Sequence, residues 1–135
     1  MTLTVATILV VDDDPLAADL VVAALSREGH VVHTHDSGFG LAVAIHRHRP
    51  ALVVLDVCMP GLSGYQALKA ARALDPIYGV DAPVLLYSGL PELKLAELTD
   101  RVGGCGYLRK PAKLSAIVDA VRLGLVSALA RTASE

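Results

Sequence analysis

Short, nearly unbroken apolar runs alternate along this chain with longer segments whose apolar residues recur every three or four positions. The runs are Thr7 to Val11, a weaker one from Val31 to His35, Ala51 to Asp56, Val84 to Tyr87, and Cys105 to Leu108. A brief apolar run bounded by turn-forming residues predicts a strand buried on both faces. Between them, Leu16, Leu20, Val21, Ala24 and Leu25 stand at helical spacing, with Asp14-Pro15 to open a helix and Gly29 to close it. Phe39, Ala42, Ile45 and His46 predict one face of a second helix, opened by a turn at Asp36-Ser37-Gly38 and ended by Pro50. Ser63 is the expected cap of a third helix carrying Leu68, Ala71 and Leu74, and Asp75 to Pro83 reads as a loop. Glu92 to Val102 predicts a fourth helix, with Leu95, Leu98 and Val102 on one side and Gly103-Gly104 as its stop. Leu114 to about Arg131 predicts the fifth. Strand and helix thus alternate five times, which implies an α/β fold with a doubly wound parallel sheet and helices on both faces. Periodicity alone leaves the strand order open.

Composition narrows the function classes. The 135 residues suit one domain, expected to span 1–135 with no repeat or linker. A net charge of −2 offers no electrostatic case for nucleic-acid binding, so none is expected. The content is 53% hydrophobic but only 4% aromatic, so Val, Leu, Ile and Ala must build the core. Two cysteines, Cys58 and Cys105, are too few for a disulfide framework. Three aspartates interrupt the N-terminal apolar stretch, which excludes a secretory signal there. No uncharged apolar run reaches membrane-spanning length, and a cytoplasmic location is the expectation.

The chemistry gathers where the strands end. Asp12 and Asp13 follow the first strand, Asp56 the third, Ser88 the fourth and Lys110 the fifth. In a parallel sheet these ends share one edge, and ligands bind outside the carboxyl ends of the strands. Each residue alone has an ordinary explanation: a helix cap, a turn, a solvated charge. Together they form a coherent set. Packed carboxylates repel unless a cation joins them. A hard ion such as Mg²⁺ (or Mn²⁺) takes oxygen ligands from one or two carboxylates and keeps waters for a phosphate. Asp56 beside such an ion can act as a nucleophile towards phosphorus. Lys110 can neutralise charge on phosphoryl oxygens, and the Ser88 hydroxyl can donate to one of them.

The segments VVDDD, LDVCMPG, LLYSG and GYLRKP, in this order and spacing, resemble the receiver domain of two-component response regulators, the CheY-like family. The resemblance runs from about Thr7 to about Leu129. It implies a flavodoxin-like five-stranded sheet of order 2-1-3-4-5 with five helices, and a phosphorylation-dependent signalling switch rather than a turnover enzyme. It implies Asp56 as phospho-acceptor, with a histidine kinase or phosphorelay partner as donor. Asp12 and Asp13 match the metal-binding acidic pair, and Cys58 the position whose backbone carbonyl also meets the metal. Ser88 matches the hydroxyl residue at the phosphoryl group, Lys110 the family's lysine, and Tyr107 its aromatic switch. The output face would be the fourth helix, fifth strand and fifth helix. No output domain is expected within this chain.

Two departures from the family pattern stand out. Cys58 replaces a commonly polar or larger side chain that tunes phosphate lifetime. After Pro111, Lys113 is a poor helix cap, so the last helix is expected either to start loosely or to be capped by Ser115 one turn later. Elsewhere, His30, His33, His35, His46 and His48 lack a closed ligand set and read as exposed polar positions. Cys105 reads as a small buried residue, and acidic neighbours disfavour a thiolate at Cys58. The last helix carries two apolar stripes: Leu114, Ile117, Val121, Leu125 and Ala128; then Ala116, Ala120, Leu123, Val126 and Ala130. One must face the sheet, and the other is available for a partner or a homodimer contact. Two further readings remain open. A haloacid-dehalogenase-type phosphatase would use Asp12 and Asp14 but gives Asp56 no role. A receiver-like interaction module would never be phosphorylated.

Overall fold

The computed structural model describes residues 5–61, 63–73 and 82–133, with positions 71, 73 and 128–133 described by backbone alone. Its strands are β1 (Thr7–Val11), β2 (Val31–His35), β3 (Leu52–Leu55), β4 (Val84–Ser88) and β5 (Gly106–Arg109). The helices are α1 (Pro15–Arg27), α2 (Leu41–His48), α3 (Gly64–Ala73), α4 (Glu92–Val102) and α5 (Leu114–Ala133). All neighbouring strands pair in parallel, in the order β2-β1-β3-β4-β5. This is the order and architecture expected of a flavodoxin-like sheet.

Strand periodicity sorts the core into two layers. Leu9, Val11, Val53, Leu55, Val84 and Leu86 point to one face and pack against Leu41 and Ile45 of α2, Leu68 of α3 and Leu95 of α4. Ile8, Val10, Leu52, Val54, Leu85 and Tyr87 point to the other and pack against Val21 and Leu25 of α1 and Ile117, Val121 and Leu125 of α5. The central strands β1, β3 and β4 are buried almost throughout, whereas β2 and β5, at the edges, are half-exposed. Each fully buried Leu or Val contributes about 1.5–3 kcal/mol, so the central strands are the rigid base on which the strand ends are mounted.

Local signals explain both ends of α1 and the start of α3. Asp14 caps α1, its carboxylate accepting from the Leu16 amide at 3.1 Å, and Gly29 follows the helix at a φ of 92°. Ser63 and Gln66 form a reciprocal capping box on α3: the Gln66 amide donates to Ser63 Oγ and the Ser63 amide to Gln66 Oε1.

Several expectations are corrected. The second helix starts at Leu41, after Gly40 at a φ of 74°, so the Asp36-Ser37-Gly38 turn does not cap it. Its buried face is Leu41, Ala44 and Ile45, with Ala42 half-buried against the same layer, whereas His46 is exposed. Phe39 precedes the helix and is exposed. On α1, Leu16 and Leu20 face solvent, and Ala18 joins Val21, Ala24 and Leu25 in the core. Helix α5 begins at Leu114 without waiting for Ser115, because the Ala116 and Ile117 amides donate to the Lys113 carbonyl. On α5, Ile117, Val121 and Leu125 face the sheet, while Leu114, Leu123 and Val126 are exposed. Leu74 and positions 75–81 of the predicted loop lie outside the described residues, as do the side chains of Ala71, Ala128 and Ala130.

Candidate functional site

Register brings the strand ends together. Val11 lies beside Leu55, and the Asp56 amide donates to the Val11 carbonyl at 2.9 Å, one residue past the ladder. The Asp12 amide donates to the His35 carbonyl at 3.1 Å, and the Lys110 amide to the Ser88 carbonyl at 2.8 Å. The backbone of each functional residue is therefore fixed by the neighbouring strand, and little freedom is left in where its side chain begins.

Asp12 and Asp56 are both buried. Lys110 Nζ bridges them, 2.6 Å from Asp12 Oδ2 and 3.0 Å from Asp56 Oδ2. The remaining carboxylate oxygens accept from backbone amides: Asp12 Oδ1 from Asp14 at 3.0 Å, and Asp56 Oδ1 from Cys58 at 2.8 Å. Burial pushes the Asp12 carboxyl above its usual value and the Asp56 charge adds to this, against the hydrogen bonds from Lys110 and Asp14. Burial acts to lower Lys110, but its hydrogen bonds and attraction to both carboxylates win and raise it. The ammonium is thus firmly charged and placed between two acids.

Asp13 is exposed and completes an oxygen cluster: one carboxylate oxygen each from Asp12, Asp13 and Asp56 lie within 4.8 Å of one another. An all-carboxylate donor set open on one side fits a hard divalent cation such as Mg²⁺. Ser88 is fully buried, and its Oγ has no hydrogen-bond partner among the described residues. A buried hydroxyl without a partner costs about 1–3 kcal/mol, which marks it as a group kept for something other than stability. Tyr107 is half-buried on β5, and its hydroxyl donates to Glu92 Oε1 of α4 at 3.4 Å. Its ring packs on the same core layer as Leu86 and Leu95.

The model of the response regulator receiver domain matches residues 8–122. The chain belongs to the response regulator receiver domain family. It is 38% identical over 112 residues to the probable transcriptional regulatory protein TcrX of Mycobacterium tuberculosis, covering 83% of this chain and 46% of that protein. Among solved structures, NtrX from Brucella abortus matches with a TM-score of 0.84 and 31% identity, over 97% of this chain and 30% of that one. The chemotaxis protein CheY4 of Vibrio cholerae shares the fold, with a TM-score of 0.79 at 23% identity, over 90% of this chain and 99% of that one. This receiver domain spans about half the length, or less, of the curated relatives it matches. Receiver domains are signalling domains that bind Mg²⁺ at an acidic site, and response regulators receive phosphate from histidine kinases. Among the described residues, no helix is long and apolar enough to cross a membrane.

The structure brings Asp12, Asp13, Asp56 and Lys110 into one cluster, whereas Ser88 is joined to it only through its carbonyl, which accepts from the Lys110 amide, and Tyr107 lies on the layer of Leu86 and Leu95. One residue escaped notice: Gly64, the first residue of α3. A Cβ there would sit 2.1 Å from the Asp56 carbonyl oxygen. Only hydrogen lets α3 close over the end of β3. The signal was a glycine next to the Ser63 cap, which reads equally as part of a turn.

Proposed function

We propose that this receiver domain, with its core from about Thr7 to about Leu129, takes a phosphoryl group onto Asp56 and changes its protein-binding face in response. The carrying observation is the pairing of a charged lysine shared by two buried carboxylates with a buried, unpartnered serine hydroxyl. Asp56 Oδ forms the new bond to phosphorus as the donor's bond breaks, a nitrogen–phosphorus bond for a kinase phosphohistidine. Asp12, Asp13, Asp56 and the Cys58 carbonyl would hold Mg²⁺ (or Mn²⁺), which supplies charge neutralisation when bound. Lys110, released from Asp56 by the phosphoryl group, pairs with one of its oxygens. Ser88 donates its hydroxyl to another, and so gains the partner it lacks. The same site supports return of the phosphoryl group to water, so the only reactions are self-catalysed.

The haloacid-dehalogenase alternative is disfavoured, because Lys110 grips Asp56 as well as Asp12. Labelling with a small phosphodonor and Mg²⁺, followed by mapping of the acyl phosphate, separates the two. Label on Asp56 is expected; label on Asp12 supports the phosphatase. No uptake, together with no spectroscopic response to fluoroberyllate at saturating Mg²⁺, supports the unphosphorylated module.

Movement of Ser88 towards the phosphoryl group opens space that the Tyr107 ring can fill, which couples the site to the α4–β5–α5 face. Tyr107→Ala is expected to leave labelling intact and weaken partner binding by the phosphorylated form. Unchanged partner affinity would sink this role. A homodimer contact is supported by Leu123 and Val126, both exposed on the outer face of α5. Sedimentation showing a monomer with and without phosphate would remove it.

A further inference from the structure

Tyr87 is one of only four tyrosines in a chain with a single phenylalanine and no tryptophan. It stands in β4 after Val84, Leu85 and Leu86, where a fourth aliphatic residue would continue the run. It is buried, packed in the layer formed by Ile8, Val10, Val54 and Leu85. Its register partner on β5 is Leu108, and Lys110 stands two residues further on the same side of that strand. The Lys110 ammonium lies 5.4 Å from the centre of the Tyr87 ring. A cation within about 6 Å of a ring face is attracted by the ring quadrupole, and more strongly where water is excluded. Lys110 is largely shielded, with a side chain 20% exposed.

We propose that Tyr87 is a positioning residue for Lys110, its ring face giving the ammonium a seat that does not depend on the carboxylates. The inference rests on the phospho-acceptor reading for its functional consequence, though the contact itself does not. In the resting protein Asp12 and Asp56 hold the ammonium. Once a divalent cation or a phosphoryl group engages those carboxylates, their pull on Lys110 weakens. The ring's attraction remains, and keeps Nζ on the β4 side of the site where the Ser88 carbonyl already fixes the Lys110 backbone. Leucine at position 87 would fill the space but offer no such attraction.

The test compares Tyr87→Leu with Tyr87→Phe, which keeps the ring. Tyr87→Leu is expected to slow phosphate uptake from a small phosphodonor by about 3- to 10-fold, while affinity for Mg²⁺ stays that of the unaltered protein. Tyr87→Phe restores the rate, and in a Lys110→Ala background Tyr87→Leu adds no further loss. An unchanged rate in Tyr87→Leu, or a Phe variant as slow as the Leu variant, overturns the proposal. The Lys110 ammonium resonance gives a readout free of activity: loss of ring shielding moves its protons downfield in Tyr87→Leu and not in Tyr87→Phe. Should the unaltered protein take up no phosphate, the phospho-acceptor reading falls, and the ammonium resonance alone decides the role of Tyr87. An unmoved resonance then overturns it.

Discussion

Asp12, Asp56 and Lys110 meet at the carboxyl edge of the central strands, while His33, His35 and His48 meet along the edge strand β2 and helix α2. In the first group opposite charges are buried against each other and every contact is charge-assisted. In the second, the His33 and His48 rings stack with centroids 4.0 Å apart and planes 17° from parallel, and His35 Nε2 lies 2.6 Å from the Phe39 carbonyl oxygen. Among the described residues no carboxylate acts on the His48 ring; the groups that act on it are His33 and His35 on β2 and Arg47 on its own helix. A buried cluster of opposite charges is held by attraction and can exchange one partner for another. A cluster of like groups near the surface holds together best when neutral. The difference suits the first to the cation and phosphoryl group proposed for it and leaves the second as a packing device for α2.

The sharpest break in the comparison comes from the glycines beside each cluster. At Gly64 a Cβ meets the Asp56 carbonyl oxygen at 2.1 Å and the Val57 Cα at 3.0 Å, both backbone atoms. Gly64→Ala must push α3 off the end of β3, and a loss of about 3 kcal/mol or more is expected in urea unfolding. At Gly40, beside His35, the nearest side-chain atom is 3.7 Å away and the cost is the positive φ alone. Gly40→Ala is expected to cost about 1–2 kcal/mol. Equal losses at the two positions would show that the end of β3 is not closely roofed.

The next effect is that of removing the shared cation. Lys110→Met leaves Asp12 and Asp56 buried, close together and unpaired, with an expected loss of about 1–3 kcal/mol at neutral pH in the absence of divalent ions. The sign of its pH dependence follows from the raised Lys110 value. The stabilisation is complete below the ordinary lysine value and is lost only as pH rises through the raised one. Mg²⁺ is expected to recover much of the lost stability by taking over the role of the ammonium. A Lys110→Met protein as stable as the parent without Mg²⁺ would contradict the mutual repulsion on which the site depends.

How far the two clusters could be read from the sequence differs for physical reasons. Asp12, Asp56, Ser88 and Lys110 each follow an apolar run, and parallel pairing by itself carries strand ends to one edge. The histidines read from the sequence as exposed polar positions, because their contacts depend on where α2 begins. Gly40 in a left-handed conformation delays that helix past Phe39, which rotates His48 onto β2 and moves the buried face to Leu41, Ala44 and Ile45. No local periodicity contains that rotation. Gly64 and Tyr87 were illegible for a related reason: their meaning lies in a close approach and a ring face across the sheet, and each fits its own segment without them.

The smallest expected effect distinguishes the histidine cluster by its response to acid. Burial holds the His48 ring below its ordinary value of 6.5, and the neighbouring His33, Arg47 and His35 reinforce this. The unfolded chain therefore takes up the proton more readily than the folded one. The stabilising contribution is complete above 6.5, falls as pH drops below it, and levels off once pH passes the lowered folded value. His48→Phe keeps a flat ring against His33 without the proton. It is expected to flatten the dependence of Tm on pH between about 7 and 5, where Lys110 stays charged throughout. The parent and variant slopes must differ in that window for the histidine stack to be proton-sensitive; parallel curves would mean that the stack survives protonation, and that the two clusters differ less than their geometry implies.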